Sequence, residues 1–229
     1  MISGLFSDRE APLALQAIGK KEFLSDRAYH SIRTAIIHNE LKSGEVLIEE
    51  KLAEQLNISR TPIRTALQML VNDKLAENDA RGRIIVSEVV VKDVRDIDQV
   101  RAEIEPLSVR LNCMRGLTDA QGKELRSFCR AQSEAAARDD VENFFVSGYR
   151  FHNHLAVCSG NHFLANMIER ASLTAVRYLM KRPDPERYID NSGVEHEEIL
   201  ALIILGAEQE AVSKMRNHIQ TATSCFNPY

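Results

Sequence analysis

The segment that most constrains the fold of this chain runs from Leu52 to Leu70, with the sequence LAEQLNISRTPIRTALQML. Apolar residues recur in it at three- and four-residue spacing, first at Leu52, Ala53 and Leu56 and then at Ile63, Ala66, Leu67 and Leu70. This spacing predicts two short amphipathic helices. Because asparagine tolerates the left-handed backbone conformation that ends a helix, we expect the turn between them at Asn57.

The second of these helices begins with a polar and basic tip. Ser59 or Thr61 can cap its N-terminus, and Pro62 falls in the first turn, where no amide hydrogen is needed. Arg60, Thr61 and Arg64 then cluster at this end. A helix-turn-helix protein inserts this end into the major groove of DNA, where arginine donates two hydrogen bonds to guanine. The tip indicates a DNA-reading helix, and the alternative is a plain helical hairpin with solvated arginines.

A short β-hairpin is predicted directly after these helices. The runs 75–78 and 84–87 have strand character, and Gly82 supplies the turn conformation between them. Arginines on both sides of this glycine suit contacts to phosphate or to the narrow minor groove. We therefore interpret the hairpin as the wing of a winged helix-turn-helix domain, with Arg81, Gly82 and Arg83 in contact with DNA.

From about residue 29 to residue 86 the chain resembles the N-terminal winged-helix domain of the GntR family of bacterial transcription regulators. The resemblance rests chiefly on the run SRTPIR at 59–64, followed by Ala66 and Leu67 at the expected distance from the wing. Asn39, Ser43, Asn57 and Thr65 depart from the residues usual in the family, and none of these departures removes a DNA contact that the resemblance implies.

Composition excludes several other classes of protein. The content of 44% hydrophobic and 27% charged residues in 229 residues is that of a soluble globular protein with room for two modest domains. No apolar run approaches the roughly 18 residues of a membrane helix, so we expect a cytoplasmic protein without a membrane partner. The four cysteines show no CxxC pairing, which argues against a zinc knuckle and a disulfide framework. The net charge of −4 gives no global basic field, so DNA contact would depend on the local arginines.

Beyond Ser87, a strand-like run of valines at 89–91 gives way to helical signals only, and we predict a domain boundary near residues 88–92. Six helices are expected at 93–112, 118–137, 140–158, 163–181, 189–205 and 208–225, with Thr118 and Asp140 as caps. The predicted fold is mainly α. An N-terminal arm at 1–24 precedes a winged helix-turn-helix domain with a small β-hairpin wing at 25–88, and an all-helical antiparallel bundle follows at 93–226.

Three histidines of the predicted bundle lie on apolar helix faces: His152, His196 and His218. One such histidine is usually a hydrogen-bonded core residue. Three of them on helices that can pack side by side favour converging imidazoles, which are common ligands of transition metals. We predict a site for a divalent transition metal, zinc or nickel. The alternative is that the histidines bond to one another, to water or to an organic acid.

Around these histidines the chain resembles the FCD-type ligand-binding domain of the FadR subfamily of GntR regulators. The matching residues are Phe151–His152, Ser159–Gly160–Asn161, Glu195–His196 and His218–Ile219, with Arg101 and Glu105 in the first helix. In the metal-binding branch of that domain three histidines and an aspartate hold the ion. The aspartate maps onto Gly148, so the resemblance implies a metal site without its carboxylate.

The same resemblance implies that Arg101 and Asn161 line an effector pocket, and Arg177 is a further candidate. Because a guanidinium pairs with a carboxylate through two parallel hydrogen bonds, we expect a small organic acid as the effector. Arg101 and Glu105 are four residues apart, and they can instead pair with each other on the helix surface.

These expectations describe a homodimeric transcription regulator, a repressor, that reads a short palindromic operator in double-stranded DNA and responds to an effector bound in its helical domain. The DNA-binding residues would be Ser59, Arg60, Thr61, Arg64, Arg81, Gly82 and Arg83. We do not expect an enzyme. Two alternatives stay open: a sensor for which the metal is the signal, and an enzyme in which three histidines hold a catalytic metal.

Overall fold

The computed structural model describes residues 23–181 and 185–224. Its elements are α1 (Leu24–Ile37), α2 (Glu49–Leu56), α3 (Arg60–Asn72), β1 (Ala76–Asn78), β2 (Ile84–Val86), α4 (Val91–Arg115), α5 (Asp119–Ala136), α6 (Val141–Cys158), α7 (His162–Lys181), α8 (Ser192–Ile204) and α9 (Glu208–Ser224), with one turn of 3₁₀ helix at Pro185–Tyr188. The predicted mainly α fold with a small hairpin is confirmed. Residues 1–22 of the predicted arm lie outside the described residues.

The first three helices pack around one apolar core. Ile63, Leu67 and Leu70 of α3 are fully buried in it, together with Ile32 of α1. As predicted, α2 ends at Asn57, whose φ of 51° lies in the left-handed region. Ser59 stands at the N-cap position of α3, although its side chain makes no capping hydrogen bond.

The hairpin after α3 is antiparallel, with Ala76 opposite Val86. Gly82 stands at its turn with a φ of 74°, as the sequence predicted. One feature was not predicted: Val46, in the loop before α2, forms a bridge with Ile85 on the other side of β2. We call α1 to β2 the N-terminal half and α4 to α9 the helical half.

The helical half begins within the run of valines at 89–91. The backbone N–H of Val90 donates to Asp93 Oδ2 at 2.9 Å, and α4 begins at the next residue. Helix α4 packs chiefly against α9 and α7, whereas α5 packs against α6 and α8. The predicted caps Thr118 and Asp140 accept hydrogen bonds from the third residue of α5 and α6, respectively. No helix in the described part of the chain is long and apolar enough to cross a membrane.

The two halves are joined by direct side-chain contacts. Arg33 of α1 donates to the hydroxyl of Tyr149 on α6 at 2.6 Å and to Glu169 on α7 at 2.5 Å. Asp73, at the end of α3, accepts from Tyr29 at 2.5 Å and also pairs with Arg170 of α7. These contacts connect the core of the N-terminal half to helices α6 and α7.

Candidate functional site

The structure brings the three predicted histidines together inside the helical half. His152 comes from α6, His196 from α8 and His218 from α9, and all three are buried. His196 Nε2 lies 3.1 Å from His152 Nε2 and 3.0 Å from His218 Nε2. One nitrogen of each ring lies within 4.8 Å of those of the other two, which is close enough to hold one metal ion.

Each imidazole is also held at its second nitrogen. The three contacts are Glu105 Oε2 with His152 Nδ1 at 2.5 Å, Glu195 Oε2 with His218 Nδ1 at 2.6 Å, and Gln132 Oε1 with His196 Nδ1 at 2.7 Å. Oxygen atoms beside the three Nδ1 atoms favour the tautomer with the proton on Nδ1, and in that tautomer each Nε2 presents a lone pair. Three lone pairs that meet at one point form an arrangement that a cation stabilises. The donor set therefore fits a divalent transition metal, held by imidazoles that a second layer of groups orients.

Burial favours the neutral, metal-binding form of two of these rings, His152 and His196. Burial lowers the pKa of His152. It lowers the pKa of His196 well below the usual value, and positive charge on His218 or His152 acts on His196 in the same direction. Burial alone would raise the pKa of Glu105, but Arg101 and His152 outweigh it and hold that pKa at about 2. Glu105 is therefore a carboxylate at every ordinary pH.

Gly148 lies one turn before His152, and the side chain of Gln132 occupies the space that a side chain at 148 would need. A Cβ atom at this position would lie 2.7 Å from Nε2 of Gln132, whose side chain is buried. The amide of Gln132 thus takes the space into which a longer side chain at 148 would extend. The sequence analysis identified the glycine but did not identify Gln132, because nothing in the local pattern of α5 distinguishes that residue.

A second glycine lets α8 approach α5. A Cβ atom on Gly193 would lie 2.9 Å from the backbone nitrogen of Ser133 and 3.1 Å from the carbonyl oxygen of Cys129. His196 follows one turn later on the same helix, and the close approach brings its ring within reach of Gln132. Gly193, like Gln132, was not identified from the sequence.

A cavity opens beside the histidines, with an empty volume of about 640 Å³ that includes its open mouth. The histidines, Arg101 and Gln132 form its polar end. The walls are largely apolar and consist of Phe144, Phe145, Ala175, Val176 and Leu179. A pocket of this kind, mostly apolar with a few convergent polar groups, is typical of small-molecule sites.

Of the three predicted effector-binding residues, only Arg101 lines this cavity. Its Nε donates to Glu105 Oε1 at 2.6 Å, and a terminal nitrogen donates to Asp98 Oδ1 at 3.0 Å. The pairing with Glu105 that the spacing suggested is present, but it is buried in the bundle and not on the helix surface.

Asn161 and Arg177 do not line this cavity, so the structure does not bring them together with Arg101. Asn161 is exposed, and its Oδ1 accepts the backbone N–H of Leu164 at 3.1 Å, because the first N–H groups of α7 need a partner. Arg177 follows the cavity residue Val176, and successive helical side chains differ by about 100° in direction. Its guanidinium therefore faces the end of the hairpin, where it donates to the carbonyl of Ser87 at 2.8 Å. Burial lowers the pKa of Arg177 to about 10.

The predicted DNA-contacting residues lie on the surface of the N-terminal half. Ser59, Arg60 and Thr61 are exposed at the start of α3, with Arg64 one turn later, and Arg81, Gly82 and Arg83 are exposed at the turn of the hairpin. The structure therefore supplies a basic helix tip and a basic hairpin turn, each accessible to a large partner.

Three of these arginines already have carboxylate partners, which the sequence analysis did not anticipate. Arg64 donates to both oxygens of Glu49, at 3.0 and 2.9 Å. Arg60 pairs with one oxygen of Glu50 at the start of α2, and Arg83 Nε donates to Asp79 Oδ2 at 2.7 Å. Exposed ion pairs of this kind stabilise a protein by at most about 1 kcal/mol, so a phosphate or a base edge can displace the carboxylates.

Comparison with known families and proteins agrees with this arrangement. A model of the bacterial regulatory proteins of the gntR family matches residues 24–86, and a model of the FCD domain matches residues 96–221. An uncharacterised HTH-type transcriptional regulator of Bacillus subtilis, YdhC, is 28% identical over 63% of this chain and 64% of its own length, slightly less than two thirds.

This chain matches a larger share of two other relatives. The Nta operon transcriptional regulator of Aminobacter aminovorans is 30% identical over 78% of this chain and 83% of that protein. The gluconate operon transcriptional repressor of Bacillus licheniformis is 28% identical over 70% of this chain and 69% of that protein. The solved structure of McbR/YncC of E. coli has the same fold, with a TM-score of 0.76 at 23% identity over 90% of this chain and 98% of that one.

Proposed function

Because the chain belongs to the GntR family of bacterial regulatory proteins and carries an FCD domain, we propose that it is a homodimeric repressor that releases its operator when a small organic acid binds in the helical half. It is a DNA-binding transcription regulator and not an enzyme. The observation that carries the proposal is the pairing of an exposed arginine tip with a cavity that ends in three converging histidines.

We assign the reading of DNA to a winged helix-turn-helix domain at 25–88. Arg60, Thr61 and Arg64, with Ser59 beside them, would contact base edges and phosphates in the major groove. Arg81, Gly82 and Arg83 would follow the adjoining minor groove. The exposure of both groups on the same half of the chain supports this assignment.

The domain at 93–226 would bind the metal and the effector. The Nδ1 contacts of the three histidines support a zinc or nickel ion at their Nε2 atoms. Such an ion would attract a carboxylate of the effector. Arg101 supports the same assignment, since the contacts to Asp98 and Glu105 leave a second terminal nitrogen of its guanidinium to offer to a ligand.

An exposed apolar strip supports the homodimer. Val100, Leu107 and Met114 recur every seven residues on α4, so they lie on one face of that helix, and all three are exposed. Phe163 and Met167 of α7, a helix that packs beside α4, are exposed as well. Exposed apolar patches of this kind mark interfaces between proteins, and two copies joined here would present two DNA-reading tips to one palindrome.

The repressor assignment draws on the gluconate operon repressor, a relative that covers most of this chain. A metal sensor is the second candidate, and the histidine cluster favours it because the cluster alone fits a cation. The two candidates differ in the ligand that releases DNA. A sensor would release its operator on addition of zinc or nickel alone, whereas the proposed repressor would need an organic acid in addition.

Selection from a random-sequence duplex library with the purified full-length protein tests the proposed function. We expect enrichment of one short palindrome whose half-sites are about one helical turn apart. Addition of the effector should then release that duplex. If no sequence is enriched, the assignment of the arginine tip to specific DNA reading is wrong.

A further inference from the structure

Beyond its polar end, the cavity offers a ligand very few hydrogen bonds. Phe144, Phe145 and Val176 are buried around it, and Ala175 and Leu179 complete the apolar wall. Tyr149, Asp190 and Ser192 also line the cavity, but their polar atoms already make hydrogen bonds. The hydroxyl of Ser172, by contrast, is buried and has no hydrogen-bond partner among the described residues. Because buried polar groups in proteins are nearly always paired, this hydroxyl is available to one polar atom of a ligand.

At the polar end, Gln132 presents hydrogen-bond donors in place of a negative charge. Its Oε1 accepts from His196 Nδ1, and this contact turns the amino group Nε2 towards the open side of Gly148. An amide nitrogen carries two N–H donors. Where an aspartate at 148 would supply an anion to the site, this chain therefore supplies donors that attract one.

The charge of the other groups on the cavity favours a ligand with one carboxylate. Arg101 lines the same polar end as Gln132, so both residues can bind the carboxylate of a ligand. The exposed carboxylate of Asp190 stands at the mouth and would repel a second negative charge. Between these two places the wall is apolar.

We propose that the effector is a monocarboxylic acid with a branched alkyl or aryl body, and that its carboxylate lies at Gln132 and Arg101 while its body packs against Phe144, Phe145 and Val176. This inference rests on the proposed function and narrows the class of organic acid. A sugar acid would bury several hydroxyls against a wall that is largely apolar, and each hydroxyl left unpaired weakens binding by about tenfold or more.

Isothermal titration calorimetry of the full-length protein, with one equivalent of zinc and without metal, tests the class of ligand. The probes are phenylacetate, 4-methylpentanoate, glutarate and gluconate. We expect the first two to bind at least about tenfold more tightly than the others. Tighter binding of gluconate or glutarate overturns this inference and leaves an organic-acid effector in place. If none of the four acids binds, the organic-acid effector itself is wrong.

The substitution Gln132→Glu tests the position of the carboxylate. It is isosteric and keeps an oxygen acceptor for His196, but it places a negative charge beside Gly148. Affinity for phenylacetate should fall by at least about tenfold, measured with both proteins loaded to the same zinc content. Gln209→Glu, which adds the same charge at an exposed position of α9, is the matched control and should leave this affinity unchanged. Unchanged phenylacetate affinity in Gln132→Glu overturns the proposal.

Val176→Thr provides a test that does not touch the histidines or their partners. The substitution is isosteric and places one hydroxyl on the apolar wall. We expect several-fold weaker binding of phenylacetate and an unchanged zinc content. If phenylacetate binds equally well or better, the body of the ligand does not lie against this wall, and the inference fails even where Gln132→Glu does not fold.

Discussion

The hydroxyl of Tyr149 accepts a hydrogen bond from Arg33 at 2.6 Å, and Tyr149 also lines the cavity beside the histidines. Arg33 belongs to the first helix of the DNA-binding half. One side chain thus contacts both the cavity proposed for the effector and the half that carries the proposed DNA-reading tip. A ligand that displaces the Tyr149 ring would act directly on the position of α1.

Tyr149→Phe should therefore uncouple the two sites. The variant keeps the aromatic ring in the cavity and loses the hydrogen bond, worth about 0.5–1.5 kcal/mol. We expect effector affinity and operator affinity each to stay within about twofold of the native protein, and the release of operator by the effector to weaken by about three- to tenfold. Gel-shift titrations with and without effector measure both quantities.

Tyr29→Phe is the matched control, because Tyr29 donates to Asp73 within the N-terminal half and does not line the cavity. It should leave the response to effector unchanged. An equal loss of response in both variants would show that the contact of Tyr149 with Arg33 has no special part in coupling.

Arg64→Ala should abolish discrimination between operator and unrelated DNA. A guanidinium that donates two hydrogen bonds to guanine contributes about 1–3 kcal/mol of specificity, which corresponds to roughly 5- to 150-fold. Glu49→Gln should act in the opposite direction, since it removes the carboxylate that pairs with Arg64 in the free protein. Fluorescence anisotropy against specific and scrambled duplexes measures the ratio. Arg110→Ala, an exposed arginine of α4, serves as the control, and equal ratios in Arg64→Ala and the native protein would contradict the assignment.

Removal of metal should lower the melting temperature of the helical half. A ligand at 100 times its Kd stabilises the folded state by about 2.7 kcal/mol, which for a chain of this size corresponds to roughly 5–10 °C. His196→Ala should abolish the shift on addition of zinc, whereas His154→Ala should retain it, because His154 lies outside the cluster. Thermal melts with elemental analysis test this prediction, and an unchanged melting temperature after metal removal counts against the metal site.

Substitutions at Gly148 separate the effect of bulk from that of charge. Any side chain here must displace Nε2 of Gln132, which would then release His196 Nδ1. Gly148→Ala should therefore weaken zinc binding by about tenfold, the usual effect of losing a partner of a metal-binding histidine. Gly148→Asp displaces the same amide but adds a carboxylate, so it should bind zinc more tightly than Gly148→Ala. Competition titrations with a zinc indicator measure both constants, and equal values would mean that no fourth protein ligand can reach the ion.

Local patterns of sequence predicted the features that depend on neighbouring residues along the chain. The left-handed turn at Asn57, the caps Thr118 and Asp140, the glycine turn at 82 and the inward faces of the three histidines all follow from backbone conformation and helical spacing. The partners of the histidines did not follow. Glu105, Gln132 and Glu195 approach the rings across helix interfaces, and the rotation of one helix against another is set by packing, for example by the close approach at Gly193.

Arg177 illustrates the same limit in a single residue. The sequence makes Arg177 a candidate for the effector pocket, but the helix directs its side chain towards Ser87. The run of valines at 89–91 looked like a strand for a related reason: β-branched residues favour strands locally, and Asp93 begins a helix there by accepting the N–H of Val90. A tertiary contact sets the direction of Arg177. At the valines, a capping hydrogen bond to Asp93 selects the helix over the strand.

If the exposed arginines read DNA as proposed, the carboxylates beside them affect how the protein searches a chromosome. Glu49, Glu50 and Asp79 neutralise much of the tip while no operator is present. Contact with arbitrary duplex then gains little electrostatic attraction and releases few counterions, so the protein spends little time trapped on wrong sequences. Only a site that offers the arginines better acceptors displaces the carboxylates, and binding to that site should depend less on salt than the number of basic contacts alone would suggest.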